Sequence, residues 1–561
     1  MAKGNEKVKA QPATENNTRS FLRFTTEEKV AYGLLAALIL LVIFIRSKFS
    51  MIPFERDEGA YGYYGKLLLE GKIPYKDFYE QKFPGIFYFF AMMVGLFGET
   101  VKGMHFGFMI LNILTFLFLF FAAKKMFSPL AGFIAAATYA IVSLTPGLSG
   151  FTIQGEHGVS FFISMGILFY AYARANLRLI YFFLMGLALG AAFMTKTSGM
   201  FLVLWGGAVV ITDFLFGKGK LVWRDLFMRV LMYSCGVFLV IGILFALIAI
   251  KGSFNEMIFW AYEIPKKYVS KIPWSEGKKL LDYMFTSITA EYKFFWVHAF
   301  AGLAVVVIKG ISWRKKAMGL LLIFFSCMTI VPGFYFYGHY WIQIIPGLSI
   351  LAGLTFYGFN YLLTEKFNVR SQRTPYIYVA VFLVFALMHL NRNKSYYFHP
   401  NYDRILRTVY GNNPFPESMA IANYINSISK PEDGIVVMGS EPQIYFYTKK
   451  HCPSRHAYFA ALVDDTPQHK EWQREFVRDV EKAKPRFFVF FNHQISLFVQ
   501  PGTDRYIFDW YNKYVTDNYH IIGVVDMIDG YTSNYVWKEQ LSTYKMQSQT
   551  AIYVYERNEG K

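Results

Sequence analysis

The run VAYGLLAALILLVIFIRSK, residues 30–48, decides what kind of protein this is. Its first sixteen residues carry no charge. A hydrocarbon layer about 30 Å thick needs about 20 residues of helix to cross it, and this run supplies them. It is too long for a signal-peptide core and lacks a small-residue cleavage site. The polar, Lys-rich residues 1–29 before it read as a cytoplasmic tail. Ten further apolar runs follow, near 103–123, 129–147, 157–174, 179–195, 197–217, 227–250, 294–309, 317–333, 340–362 and 375–390. Eleven spans predict about 220 residues of membrane helix. Composition agrees: of 561 residues 54% belong to the AVILMFWYC set, 19% are aromatic and only 17% are charged. Mean hydropathy is +0.28. A soluble enzyme, a disordered chain and a coiled-coil rod are all excluded by these figures. The shorter apolar segment 84–98 reads as a helix lying at the membrane interface.

Charge sets the expected orientation. Lys and Arg number 57 against 39 Asp and Glu, a formal +18. The excess gathers in alternate short loops: Lys124 and Lys125; Arg174 and Arg178; Lys218, Lys220 and Arg224; Lys309, Arg314, Lys315 and Lys316; Lys366, Arg370 and Arg373. That is the positive-inside pattern of a membrane protein and implies no nucleic-acid partner. It predicts a cytoplasmic N-terminus, outward loops at 49–102 and 251–293, and a C-terminal part 391–561 outside the cytoplasm. The three cysteines, 235, 327 and 452, are too widely spaced for a zinc or C-x-x-C pattern.

From residue 391 the apolar runs shorten. Gly434–Gly439, Ile444–Tyr447, Arg486–Phe491, His520–Val525 and Ala551–Tyr555 look like strands, and 466–484 and 504–517 like helices, which predicts a small α/β domain. Gly439-Ser440-Glu441 follows a strand-like run. It reads as a plain strand-to-helix turn, with a phosphate-binding turn as the rarer alternative.

Polar residues of the spans cluster toward their outward ends. Glu156 and His157 open the fourth span, Lys196 sits in the turn between the fifth and sixth, and His339 and Tyr340 open the tenth. Asp213 and Arg229 lie near the opposite ends. A transporter places such groups at the midplane; chemistry at one interface points to an enzyme acting on lipid-borne substrates. The densest feature is the loop 49–102, where Arg56-Asp57-Glu58 opens an amphipathic helical pattern to Leu69 with its aromatics facing the membrane. A carboxylate partly withdrawn from water there suits a general base. The alternative is an interfacial helix with a solvated acidic cap. Glu156, His157 and His339 are candidates for a divalent cation or for hydrogen bonds that shape an acceptor groove. His298 reads as a helix-packing residue.

Arg56-Asp57-Glu58-Gly59-Ala60-Tyr61, followed about 25 residues on by Gln81-Lys82-Phe83-Pro84-Gly85, resembles the start of the GT-C glycosyltransferases. The likeness is to the group of protein mannosyltransferases and aminoarabinose transferases. Glu156 at the start of the fourth span, and His339-Tyr340-Trp341 with Pro346 before the tenth, fit the same pattern. The resemblance spans roughly residues 30–390 and implies a polytopic α-helical membrane protein of GT-C type, with about 11 transmembrane helices and a C-terminal extracytoplasmic α/β domain. It implies a bacterial inner-membrane enzyme that moves a sugar, with inversion, from a polyprenyl-phosphate donor to a glycan, lipid or protein acceptor. Consistently, the chain has no P-loop and no dinucleotide fingerprint. Asp57 then corresponds to the base, with Glu58 in support, and Lys82 to the cation on the leaving phosphate. Lys196 is a second phosphate candidate by position alone. Two departures from the aminoarabinose transferases stand out: Ala60 where they have an arginine, and Gln81 where they have an acid. A ligase or polymerase using a diphosphate-linked donor, and a lipid-linked-sugar flippase, are the rival readings.

Overall fold

The structure, a computed structural model, describes residues 24–217, 222–269, 271–369, 371–464 and 466–560. Most of the N-terminal tail, and Lys218, Lys220 and Arg370, lie outside the described residues.

Helices α1 (Thr26–Ser47), α2 (Arg56–Leu69), α3 (Gly85–Phe97), α4 (Val101–Met126), α5 (Pro129–Val142), α6 (Gly155–Asn176), α7 (Leu179–Thr195), α8 (Met200–Leu215) and α9 (Trp223–Ile250) form the first half. After them come α10 (Trp274–Glu291), α11 (Lys293–Phe300), α12 (Trp313–Met328), α13 (Ile345–Glu365) and α14 (Thr374–Arg392). Among the described residues seven helices are long and apolar enough to cross a membrane: α1, α4, α6, α8 with its entry turn from Thr197, α9, α13 with its entry turn from Gly338, and α14. An eighth would be the pair α10–α11, bent by 100°. Each of the eleven apolar runs contains helix, but several are shorter than expected. The run 129–147 ends as helix at Val142, before Pro146, and α7 holds 17 residues. The run 294–309 is one arm of the bent pair.

Local rules account for the helix ends. Thr25 and Glu28 form a reciprocal cap on α1, and Thr100 accepts from the Gly103 N–H to cap α4. In the bundle α7 and α9 touch backbone to backbone. A Cβ on Gly186 would meet the Tyr233 carbonyl, and one on Gly236 the Phe183 carbonyl. Such small-residue contacts replace the missing hydrophobic drive between helices in lipid. Asp213, near the far end of α8, accepts from Arg314 Nε at 2.7 Å and from Tyr170 at 3.2 Å, with Arg174 at 3.6 Å. Lys196 precedes the other end of α8, about 24 Å away along the axis.

The C-terminal part comprises α15 (Phe415–Ile428), β1 (Ile435–Met438), α16 (Gln443–Thr448), α17 (His469–Ala483), β2 (Phe487–Asn492), α18 (Tyr506–Asn518), β3 (Tyr519–Met527), β4 (Ser533–Trp537) and β5 (Ala551–Arg557). The sheet order is β1-β2-β5-β3-β4. β1 and β2 run parallel with Ile435 opposite Phe487, and the other neighbours are antiparallel. Two expectations are corrected. Ile444–Tyr447 is helical, launched after Pro442, and Ser533–Trp537 is a strand that the run-by-run reading passes over.

The aromatics of α2 do not face lipid. Tyr61, Tyr63 and Tyr64 are all buried inside protein. Tyr63 stacks on Tyr445 at 5.3 Å and its hydroxyl accepts the Cys452 N–H at 2.9 Å, while Tyr64 stacks on Phe78 at 5.3 Å. One hydrophobic core runs from the first loop through α2 and α3 into the sheet of the C-terminal part. Gly59 lets α2 lie against α16, because a Cβ there would collide with the Gln443 Cβ.

Candidate active site

The site begins with the entry to α2. Glu55 caps the helix, its Oε1 accepting the Glu58 N–H at 2.6 Å, so Asp57 falls in the first turn, where the helix dipole favours negative charge. Asp57 is half-buried, and one turn on Tyr61 donates its hydroxyl to Asp57 Oδ2 at 3.4 Å. Over the Tyr61 ring, 4.9 Å from its centre, sits Lys82 Nζ. The turn that carries Lys82 is pinned by Tyr75, whose hydroxyl donates to the Lys82 carbonyl at 2.7 Å. Glu80 Oε1 holds the ammonium at 3.1 Å.

The second half of the site comes from the ends of α6, α7 and α13. Glu156, in the first turn of α6, pairs with Lys196 from the α7–α8 turn. Lys196 Nζ also lies 4.0 Å from the Tyr340 ring centre, and His339 Nε2 is 3.8 Å from Glu156 Oε1. The two halves share one electrostatic field: Asp57 and Glu156 both act on Lys82, and Lys82 and Asp57 both act on Lys196 and His339. Burial alone would pull the Lys82 ammonium down, but Glu80, Asp57 and Glu156 outweigh it and hold it above its ordinary value. Lys82 is therefore a permanent cation at neutral pH. Its side chain and that of Lys196 remain 20% and 14% exposed, open to a substrate.

Asp57, Lys82, Glu156, Lys196, His339 and Tyr340 are thus brought together. Glu58 and His157 are not. Glu58 is fully buried on another side of α2, 3.1 Å from His105 Nε2 and accepting the Ile153 N–H at 3.2 Å. Burial pushes its carboxyl above the ordinary range, against the pull of His105. Neighbours on a helix point about 100° apart, which is why Asp57 meets the lysines and Glu58 the packing of α4. His157 accepts the Gln154 N–H at 3.2 Å and packs edge-on to Phe108 at 4.6 Å. His298 shares a 2.6 Å hydrogen bond with Tyr378, the packing role expected of it.

The donor set does not suit a divalent cation. Glu156 already holds an ammonium where a metal would sit, His157 turns away from it, and among the described residues no three His, Cys, Asp or Glu side chains converge. The positive charge of this site comes first from Lys82; burial, with the Lys82 charge, draws the Lys196 ammonium below its ordinary value against the pull of Glu156.

Three residues of the site are given no role by the motifs. Glu80 supplies the carboxylate that position 81 lacks; its signal is its place two residues before Lys82. Tyr61 bridges base and cation. Glu55 lies beneath Asp57, accepting from Gln154 Nε2 at 2.7 Å, and burial, with the Asp57 charge second, raises its carboxyl to about 8. Arg56 points the other way, into the C-terminal part. Its Nη2 meets Glu441 Oε1 at 2.9 Å, and its Nε donates to the Ser440 carbonyl at 2.6 Å. The Gly439–Glu441 turn is therefore an anchor for α2, since Ser496 also donates to Glu441.

Residues 81–250 match the family model of dolichyl-phosphate-mannose-protein mannosyltransferases. In structure the chain is similar to ArnT of Cupriavidus metallidurans, solved bound to undecaprenyl phosphate, with a TM-score of 0.52 and 15% identity over 93% of this chain and 97% of that one. The fold is that of the GT-C glycosyltransferases. A second GT-C neighbour is the Archaeoglobus fulgidus oligosaccharyltransferase, solved with zinc and sulfate. Its TM-score is 0.51, with 12% identity over 90% of this chain and 73% of that one. No curated protein matches the sequence. Within the GT-C frame, the family match begins at Gln81 and takes in Lys82, Glu156 and Lys196, while Asp57 lies before it and His339 beyond it.

Proposed function

We propose that this multi-pass membrane protein is an inverting glycosyltransferase. It takes a sugar from a polyprenyl-phosphate donor to a glycan, lipid or protein acceptor at the extracytoplasmic face of a bacterial inner membrane. A glycan acceptor is favoured, because Ala60 and Gln81 depart from the pattern of the lipid A modifiers. The observation that carries the reading is one partly exposed carboxylate, Asp57, sharing a cluster with two lysines that carboxylates hold in place.

That arrangement fits a single displacement. The acceptor hydroxyl gives its proton to Asp57 as its oxygen bonds to the anomeric carbon. On the opposite face the bond from that carbon to the phosphate oxygen breaks, and both electrons leave with the lipid phosphate. Lys82 and Lys196 meet the charge that develops on the departing oxygen, and because they are held in position beforehand they act with little reorganisation. Tyr61 keeps the Asp57 carboxylate oriented.

The test is turnover by the purified full chain in detergent with a polyprenyl-phosphate sugar, read as release of lipid phosphate. Glycan profiles of an envelope from a strain lacking the protein would identify the acceptor. No release of lipid phosphate, together with movement of the intact lipid-linked sugar across vesicles, would replace the enzyme by a flippase.

A further inference from the structure

A groove of about 530 Å³ opens between the end of α1 and the α3–α4 turn, on the side of α2 away from Asp57. Phe97, Phe106 and Met109 form its apolar wall, and Phe106, on a helix long and apolar enough to cross a membrane, is 51% exposed. Its polar end is different in kind. Arg46 lines it, 5% exposed, with Nη1 donating to the Gly150 carbonyl at 3.0 Å and the guanidinium over the Phe108 ring at 4.6 Å, while Nε and Nη2 have no hydrogen-bond partner. Among the described residues Arg46 makes no ion pair. Lys102 stands exposed at the rim in the first turn of α4, a helix of 26 residues whose N-terminal end faces the same groove. No carboxylate lines the groove: Glu99 is drawn away to Lys66 at 2.7 Å, and Glu58 lies behind His105.

Two cations and a helix N-terminus at the head of an apolar trough match one kind of ligand. A buried arginine with unused donors is costly to leave unpaired. A phosphate in the groove would answer the buried guanidinium charge, and the helix end adds its partial positive charge. The apolar wall, open to the membrane, suits an acyl chain. We propose that this groove is a second lipid site, holding the phosphate of an anionic phospholipid on Arg46 and Lys102. It is separate from the Lys82–Lys196 cluster and stands whether or not the transfer reaction is assigned correctly.

Native mass spectrometry of the purified full chain, in detergent doped with phosphatidylglycerol, reads the site directly. One phosphatidylglycerol should survive on the parent and on Lys82→Ala. Its retention should fall about tenfold in Arg46→Gln and in Lys102→Gln, each losing one charge-assisted interaction. Lys102 lies on the surface, so its variant carries the test if Arg46→Gln fails to fold. Diacylglycerol, lacking phosphate, should not be retained. Equal retention of diacylglycerol, or unchanged binding in both variants, would overturn the proposal. Displacement of the lipid by inorganic phosphate alone would also overturn it, making the groove a site for free anions.

Discussion

Glu441→Ala should loosen the protein at the helix that carries the proposed base. The substitution strands the Arg56 guanidinium, whose side chain is only 10% exposed. Breaking a buried pair from one side costs about 3–5 kcal/mol. Arg56 would keep its bonds to the carbonyls of Ser440 at 2.6 Å and Ile495 at 3.2 Å, and the Phe498 ring 4.9 Å away. Those surviving contacts set the expectation at the lower end, ~3 kcal/mol. In a unit of 150–250 residues that is roughly a 6–12 °C fall in Tm. Glu441→Gln keeps an acceptor for Arg56 and should lose distinctly less. The assay is a thermal melt of the purified chain in detergent, run beside turnover. Because Arg56 precedes Asp57 in the same helical turn, kcat should fall while KM for the lipid donor holds. A Glu441→Ala protein that melts with its parent and turns over normally would show that the C-terminal part does not hold α2 in place.

Asp57→Asn keeps the shape of the side chain but removes its basic lone pair, and should lower turnover by about 10²–10⁴-fold with an unchanged melt. Glu58→Gln should do the reverse, lowering the melt through its His105 contact while turnover largely survives; exchanged outcomes would move the base one residue along. Lys82→Ala should cripple turnover without unfolding the protein, and near-normal turnover would take the leaving phosphate away from that residue. Glu55 gives a pH signature: its folded carboxyl is raised from 4.5 to about 8, so the parent loses stability as pH rises through that window, where only the unfolded chain ionises. Glu55→Gln should flatten the dependence of Tm on pH across it, and a parent whose Tm does not fall between about pH 4.5 and 8 would contradict the burial of this acid. Reporter fusions after Glu559 should read as extracytoplasmic; a cytoplasmic signal would break the parity of eleven spans.

Much of the membrane part is legible because apolar length and loop charge are local signals. Glu156, Lys196, His339 and Tyr340 are legible for a related reason, each being polar at the edge of an apolar run, whereas Lys82 and the choice of Asp57 over Glu58 rest on the family resemblance. Other features depend on partners far away in sequence. The stripe of Tyr61, Tyr63 and Tyr64 looks the same whether it faces lipid or protein, and only contact with Tyr445 and Phe78 settles it. Ile444–Tyr447 is a short apolar run of β-type residues whose period cannot separate strand from helix; Pro442 was the available clue. Glu58 and His157 adjoin Asp57 and Glu156 in sequence, and the helical 100° step parts both pairs. Arg56 with Glu441 could not be foreseen from two single charges 385 positions apart.

That separation has a consequence for how the protein is made. The first loop leaves the ribosome early, yet the groups that seat α2 are Ser440, Glu441, Tyr447 and Cys452, between 384 and 393 positions later along the chain for the bonds that begin at Arg56, Phe54 and Tyr63. At about 5–20 residues per second of synthesis, α2 waits roughly 20–80 s before its partners exist. During that interval Arg56 lacks Ser440 and Glu441, although Glu58 gains His105 and Ile153, and Glu55 gains Gln154, much sooner. A nascent chain released before residue 440 would insert its first helices and still have no seat for α2, so synthesis itself acts as a timer that keeps the site unmade until nearly the whole polypeptide is present.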